Sequence, residues 1–300
     1  MLNCFFIFLA VGCFALQFAF TKIYSDKVEQ NFETALTMLF LTGVLGAVLY
    51  FAVNGFALRV SAQSVRLAIV FAVVMIPYYT LSLQALRLGS MAIYSVFMML
   101  GGMLLPFLYG TVWLNETISW GKGIGCALLC VCIVAQGVSQ KSAEKGENKG
   151  NLLFFLLCLC IFAVNGLTGV IAKAHQTLPT AVDEVSFTVL SCAFTALLSL
   201  FLLGGSLLCK RKIALPAVKS VFTPKPLAVV ALLGAAMHTG NFLILKAAAS
   251  VPASVQFPLV SGGTILLSAL LALILFKEKP PKKEWFSIVG AFLSTLLFAF

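Results

Sequence analysis

One stretch of this chain occurs twice, and that repetition constrains the fold more than any other feature. The first copy, Gly101 to Gly125, reads GGMLLPFLYGTVWLNETISWGKGIG, and the second, Gly262 to Gly290, reads GGTILLSALLALILFKEKPPKKEWFSIVG. Each holds an apolar run of helix length, a short polar turn carrying a glutamate, a tryptophan, and a glycine-containing entry into another apolar run. An offset of 162 carries Gly101 to Gly263, Leu104 to Leu266, Leu105 to Leu267, Leu108 to Leu270 and Glu116 to Glu278. The second turn is three residues longer, so an offset of 165 then carries Trp120 to Trp285, Ile124 to Val289, Gly125 to Gly290 and Leu128 to Leu293. Shared hydrophobicity would align leucines, but not a Glu, a Trp and two glycines in one order. The spacing reads as an internal duplication.

Composition says in which solvent the copies fold. The 300 residues are 61% hydrophobic and 10% charged, with a mean hydropathy of +1.06, whereas soluble domains carry about 25% charged residues. A span needs about 20 apolar residues. Spans are expected over residues 2–21, 32–53, 67–86, 91–114 and 121–138, and again over 152–172, 185–208, 227–245, 253–276 and 285–300. The polar segment SQKSAEKGENKG, 139–150, is a linker between these two sets, and a long loop with Lys219, Pro224 and Pro226 is expected before the eighth span. No Lys or Arg precedes the first span and no small-residue cleavage site follows it, so it is expected to persist as a helix and not as a signal peptide. The expected fold class is an all-α integral membrane protein of ten transmembrane helices. Its first repeat is 1–138 and its second 151–300. Five is odd, so the second unit enters the bilayer upside down relative to the first. Inverted repeats of this kind place a shared cavity near the midplane and serve alternating access.

Two five-helix repeats, each closing on a helix, a Glu-bearing turn and a Gly-containing helix, resemble the EamA family of the drug/metabolite transporter superfamily. The marks here are LNETISWGKGIG around Glu116, FKEKPPKKEWFSIVG around Glu278, and Lys22 and Lys173 closing the first and sixth spans. The resemblance covers nearly the whole chain. It implies a ten-helix carrier, often an exporter of amino acids or other small metabolites, whose cavity is lined by spans 1, 3, 4, 6, 8 and 9. It also implies a multi-pass protein of the plasma (inner) membrane. The chain ends at Phe300 without the polar tail such proteins carry.

The ionisable residues narrow the chemistry. All ten acids fall at span ends or in loops, so none supplies a mid-membrane carboxylate of the kind on which the small four-helix multidrug antiporters of that superfamily depend. A charge at the bilayer centre costs about 2.5–3.5 kcal/mol on insertion scales. Glu116 and Glu278 sit in turns, where capping or a gate contact at the membrane face suits them better than substrate binding. Neutral polar residues remain at mid-span: Gln17, Tyr78, Tyr79, Tyr94, Asn165, His238, Asn241 and Gln256. The 162 offset carries Tyr79 to Asn241 and Tyr94 to Gln256. Singly, each suits interhelical hydrogen bonding, worth about 0.6 kcal/mol. As a set, Gln17, Tyr79, Tyr94, Asn165, His238, Asn241 and Gln256 are the candidate substrate-binding residues, and His238 is also read as a neutral histidine satisfied by a carbonyl.

Other chemistries find little here. The nine cysteines lie in or beside apolar runs without a CxxC pair or a nearby histidine, so they read as packing residues and no metal or other cofactor is expected. Only two histidines exist, His175 and His238, far apart and without paired intramembrane acids, which argues against a membrane-embedded enzyme and leaves no catalytic residue to name. A scaffold or receptor would lack a soluble domain to receive a signal. The expected function is alternating-access export of small polar or zwitterionic, amino-acid-like metabolites, with efflux of organic cations as the alternative. The expected partners are a small-molecule substrate, the lipid bilayer and a second copy of the chain as a homodimer. The net charge of +10 sits between spans and reads as topogenic, not as a nucleic-acid surface. Of the 20 Lys and Arg, 15 lie in loops 1–2, 3–4, 5–6, 7–8 and 9–10. The positive-inside rule puts those loops in the cytoplasm and both termini outside, whereas the resemblance implies termini inside.

Overall fold

The computed structural model describes residues 2–29, 31–115, 119–143, 149–248, 253–278 and 282–297, which form helices joined by short turns with no strand among them. The helices are α1 Leu2–Lys27, α2 Phe32–Val53, α3 Ala62–Leu88, α4 Met91–Trp113, α5 Trp120–Ala143, α6 Lys149–Gln176, α7 Glu184–Cys209, α8 Arg211–Val221, α9 Pro224–Ala248, α10 Ala253–Leu275 and α11 Lys282–Leu297. Among the described residues, seven of them (α1, α2, α3, α4, α6, α7 and α9) are long and apolar enough to cross a membrane, and α5, α10 and α11 carry shorter apolar stretches. The chain is a multi-pass helical membrane protein.

Local chemistry sets the helix starts. Asn31 opens α2 with a capping box, its Oδ1 accepting the Thr34 N–H at 3.0 Å while Thr34 Oγ1 accepts the Asn31 N–H at 3.4 Å. The Ser61 hydroxyl accepts the Ser64 N–H at the start of α3, and the Asp183 carboxylate accepts the Ser186 N–H at the start of α7. Each satisfies an amide that the first helical turn would otherwise leave bare. Helices α4 and α10 both end on a left-handed residue just before the duplicated glutamate position, Asn115 with φ 54° and Lys277 with φ 53°. Asn tolerates that region; Lys does so against its side-chain sterics.

Two segments differ from the expectation. The loop before the eighth span contains a helix, α8. Ala214, Ala217 and Val221 recur at spacings of three and four and are buried, while four cations in and beside the helix are exposed. The low average hydrophobicity of that stretch hides its amphipathic period. Helix also extends into the expected linker, because α5 continues through Ala143 and α6 begins at Lys149. Gln140, Lys141 and Ala143 are good helix formers and carry the helix past the apolar run.

Helices remote in sequence make the main contacts. α1 packs on α9 and α10, α2 on α7, α3 on α6 and α7, α4 on α6 and α10, and α5 on α11. The α4–α6 seam is backbone to backbone. A Cβ at Gly101 would run into the Phe162 carbonyl, and one at Gly166 would meet Leu105 and the Gly101 carbonyl. Small residues are what allow helices to approach this closely in lipid. Asn165 Nδ2 donates to the Met98 carbonyl at 2.6 Å in the same seam. A core cluster that includes Phe18 and Tyr24 of α1, Met38 of α2, Leu83 of α3, Tyr94 and Phe97 of α4, and Ile161 of α6 runs through the bundle.

Candidate functional site

Side chains from α2, α3, α6, α7 and α9 enclose a cavity of about 300 Å³, at the small end of the range of about 300–1,000 Å³ for small-molecule sites. It extends from Leu39 and Thr42 in mid-α2 towards Ala172 near the end of α6, Phe187 in the first turn of α7, and Leu245 near the end of α9. Apolar atoms dominate its wall, and among the described residues its lining includes no Asp, Glu, Lys or Arg.

The polar groups on the wall come from four helices. His238 on α9 places Nε2 2.9 Å from the Thr42 carbonyl. A carbonyl only accepts, so Nε2 carries the proton and a neutral ring keeps Nδ1 as its acceptor. Tyr50 stands edge-on to that ring at 5.6 Å and donates its hydroxyl to the His238 carbonyl at 2.9 Å. Gly46 makes room for the imidazole, since a Cβ there would strike its ring atoms. The Tyr79 hydroxyl points at Met237 Sδ, 3.2 Å away. Asn241 is exposed, with Nδ2 bound to the Met237 carbonyl at 3.0 Å. On α7, Thr188, Ser191 and Thr195 form one wall stripe. Thr188 and Thr195 donate to the carbonyls of Glu184 and Ser191, which leaves their oxygen lone pairs to accept. Ser191 Oγ is buried without a hydrogen-bond partner among the described residues.

The structure therefore brings Tyr79, His238 and Asn241 together on one cavity and places the other candidates elsewhere. Gln17 is buried on α1. Tyr94 is fully buried, donates to Ser82 Oγ at 2.9 Å and packs edge-on against Phe18. Asn165 lies in the α4–α6 seam, and Gln256 Nε2 donates to the Ile244 carbonyl at 2.8 Å, tying α10 to α9. Relative to the helices the resemblance implies, the cavity shares α3, α6 and α9, adds α2 and α7, and is not lined from α1, α4 or α10. The α7 wall had a signal in the sequence, hydroxyls at 188, 191 and 195 on one helical face, as did Tyr50.

The other end of the molecule is closed by a largely buried ion pair. Lys22 Nζ, on α1, contacts Glu278 Oε1 at 2.6 Å and donates to the Gly89 carbonyl at 3.2 Å. The other carboxylate oxygen, Oε2, accepts the Ser90 hydroxyl at 2.7 Å, and the Met91 N–H lies 3.0 and 3.1 Å from the two oxygens. One carboxylate thus caps α4 and joins the α10–α11 turn to α1 and to the α3–α4 turn. Both side chains are 13% exposed. Burial pushes the Glu278 carboxyl up, but the Lys22 hydrogen bond, the Met91 amide, the Lys22 charge and the Ser90 hydroxyl outweigh it and hold it below the ordinary value. Glu116, its counterpart in the first copy, lies outside the described residues.

No known family profile matches this chain, and no curated protein does. A solved structure titled "Crystal structure of protein" is similar over 98% of this chain and 98% of its own, with a TM-score of 0.59 and 19% identity. At that identity the similarity speaks for the fold alone.

Proposed function

We propose that this protein is a ten-span, EamA-like carrier of the drug/metabolite transporter superfamily in the plasma (inner) membrane. It exports small polar or zwitterionic, amino-acid-like metabolites by alternating access. On this reading α8 lies on the membrane face, the other ten helices span, and residues 1–138 and 151–300 are inverted repeats.

The pairing of helices supports the repeats. Exchanging each of the first five spans with its counterpart converts α1–α9 into α6–α3 and α4–α6 into α10–α1, while α2–α7, α4–α10 and α5–α11 map onto themselves; all of these contacts are present. The left-handed residues Asn115 and Lys277, 162 positions apart, mark the same point in both turns. The exchange is incomplete: among the described residues the α5–α6, α4–α11 and α1–α4 contacts lack their counterparts, and the difference that bears on the cavity lies at α3 and α9. α3 packs on α1 and α2, whereas no comparable packing of α9 on α6 or α7 accompanies it. This asymmetry leaves the cavity beside α6, α7 and α9, reaching away from the Lys22–Glu278 end. A carrier caught with one side shut has this form.

The observation that carries the functional reading is the cavity wall, hydrogen-bonding yet without a formal charge. A phosphorylated substrate would require Lys or Arg, and an organic cation would be served by a carboxylate; the lining includes neither. Hydroxyls, the Asn241 amide and aromatic faces suit a solute of zero net charge with an apolar part. With no carboxylate among the lining residues, the proposed mode is facilitated diffusion or exchange, unless His238 carries a proton.

The test is counterflow in proteoliposomes with a panel of amino acids and amines. Saturable flux of a neutral or zwitterionic solute, cut severalfold by Asn241→Ala, is the expected result. Flux confined to organic cations would move the assignment to drug efflux, and no saturable flux across the panel would remove the carrier reading.

A further inference from the structure

Helix α8 differs from its neighbours in length, charge and position. Its 11 residues span about 16 Å, too short for a hydrocarbon core of about 30 Å. It starts one residue after α7 and ends two residues before α9. Two long apolar helices thus deliver it to the membrane face, at the end of the molecule where the Glu33 carboxylate, at the start of α2, accepts the Ser206 hydroxyl near the end of α7.

Its two sides have opposite chemistry. Ala214, Ala217 and Val221 are buried, and the helix rests on α2, α7 and α9. Lys210, Arg211, Lys212, Lys219 and Lys225 are all exposed, and none joins an ion pair among the described residues. No acid occurs in the sequence between Glu184 and Glu278. Glu33, on the helix beneath, is buried and engaged by Ser206. Lys212 and Lys219, two turns apart, occupy one stripe opposite the buried face, about 10 Å along the axis. Large apolar side chains stand bare beside the charges, with Leu208, Ile213 and Phe222 exposed by 88, 63 and 50%.

Water suits the cations and not the apolar residues, and a protein core the reverse. A bilayer surface of anionic headgroups above acyl chains accommodates both. We infer that residues 208–225 form a docking surface for anionic phospholipids: Lys212 and Lys219 take the phosphates of neighbouring lipids, and Leu208, Ile213 and Phe222 reach the acyl boundary. The partner is the lipid surface, not a soluble phosphate, because a lone phosphate would use the charges and leave the apolar flank bare.

The purified full-length protein, equilibrated with an equimolar mixture of dioleoyl phosphatidylglycerol and dioleoyl phosphatidylcholine, is examined by native mass spectrometry for retained lipid. The expected result is preferential retention of phosphatidylglycerol. Each cation near an anionic surface contributes roughly fivefold in affinity, so Lys212→Gln with Lys219→Gln lowers the preference about 25-fold. Lys122→Gln, at the start of α5, leaves it unchanged. Both α8 lysines are exposed and unpaired, so their replacement keeps the fold, and a retained melting temperature verifies this. As a second measurement, phosphatidylglycerol vesicles raise the melting temperature of the wild type more than phosphatidylcholine vesicles do, and the difference shrinks in the double variant. Equal retention of the two lipids by the wild type, or an unchanged preference in the double variant, overturns the inference.

Discussion

Replacing Glu278 by Gln keeps the shape of the side chain and removes its charge. At 2.6 Å from Lys22, and with an effective dielectric of about 20, the gross attraction is about 6 kcal/mol. Desolvating two largely buried ions takes back several kcal/mol each, so the pair's net contribution is small. Stranding one ion is another matter, and breaking a fully buried pair costs about 3–5 kcal/mol. With both side chains 13% exposed, partial solvation lowers the expected loss to about 2–4 kcal/mol. Lys22 in Glu278→Gln loses its counter-charge and keeps neutral acceptors, the Gln amide oxygen and the Gly89 carbonyl, with the Phe276 ring 5.2 Å from Nζ. Lys22→Met costs less, because the Ser90 and Met91 donors still hold the carboxylate. The double variant strands neither charge and should be at least about 1 kcal/mol better than the sum of the singles. Thermal unfolding in one detergent reads all four proteins, and at about 2–4 °C per kcal/mol Glu278→Gln should melt roughly 5–15 °C below wild type. A shift within 1 °C for both singles, or an additive double variant, would refute the coupling.

Four further outcomes are expected. The native Glu278 pKa lies below its ordinary 4.5, so its contribution is complete above that value and is lost as pH falls towards the native one; Glu278→Gln should flatten the wild-type decline in melting temperature below about pH 5. Gly101→Ala forces α4 off the Phe162 carbonyl and should cost about 3 kcal/mol, read as a melting shift, whereas Gly12→Ala, with nothing within 4 Å of the added Cβ, should cost under about 1 kcal/mol. Asn241→Ala should cut transport severalfold at unchanged expression and melting temperature, while Tyr94→Ala, which empties a fully buried site, should lower stability by about 3–5 kcal/mol. His238→Gln should leave most of the flux and its insensitivity to a pH gradient intact; loss of flux in both the variant and the collapsed gradient would make His238 the coupling residue.

The legible parts of the fold and the site, and the illegible ones, have separate physical causes. The apolar runs announce helices because only closed backbone hydrogen bonding survives in lipid, and the paired turns around Glu116 and Glu278 stand out because a charge between apolar runs is rare. Helix α8 is illegible in the sequence because four cations in and beside it and Pro216 mask an apolar stripe of only three small residues. At the cavity, an offset of 162 gives Tyr79 and Asn241 equivalent places in the sequence, and both line it. The same offset relates Tyr94 to Gln256, and both are spent on hydrogen bonds between helices or within the core. Composition cannot separate these two uses of a polar side chain, since both place it within an apolar span. The α7 wall was overlooked for the opposite reason, because Thr188 and Thr195 satisfy themselves on their own helix and look inert in sequence. Glu278 was readable as a gate or cap; its partners Lys22, Ser90 and Met91 come from segments more than 180 residues away.

The glycine seam between α4 and α6 bears on mechanics. Two helices separated by side chains can slide, since rotamers adjust at little cost. Helices whose backbones touch have no such bearing, and any axial slip drives a carbonyl into a main-chain atom. A second tight seam exists where Gly43 of α2 meets the backbone of α7 at Cys192 and Ala196. The two seams act as welds, each fastening a helix of the first half to one of the second. Relative displacement within the bundle is therefore left to the helices that meet through side chains, α1, α9 and α10. Lys22 anchors the end of α1 and Glu278 the turn after α10, so the ion pair sits across the joint that remains free to move.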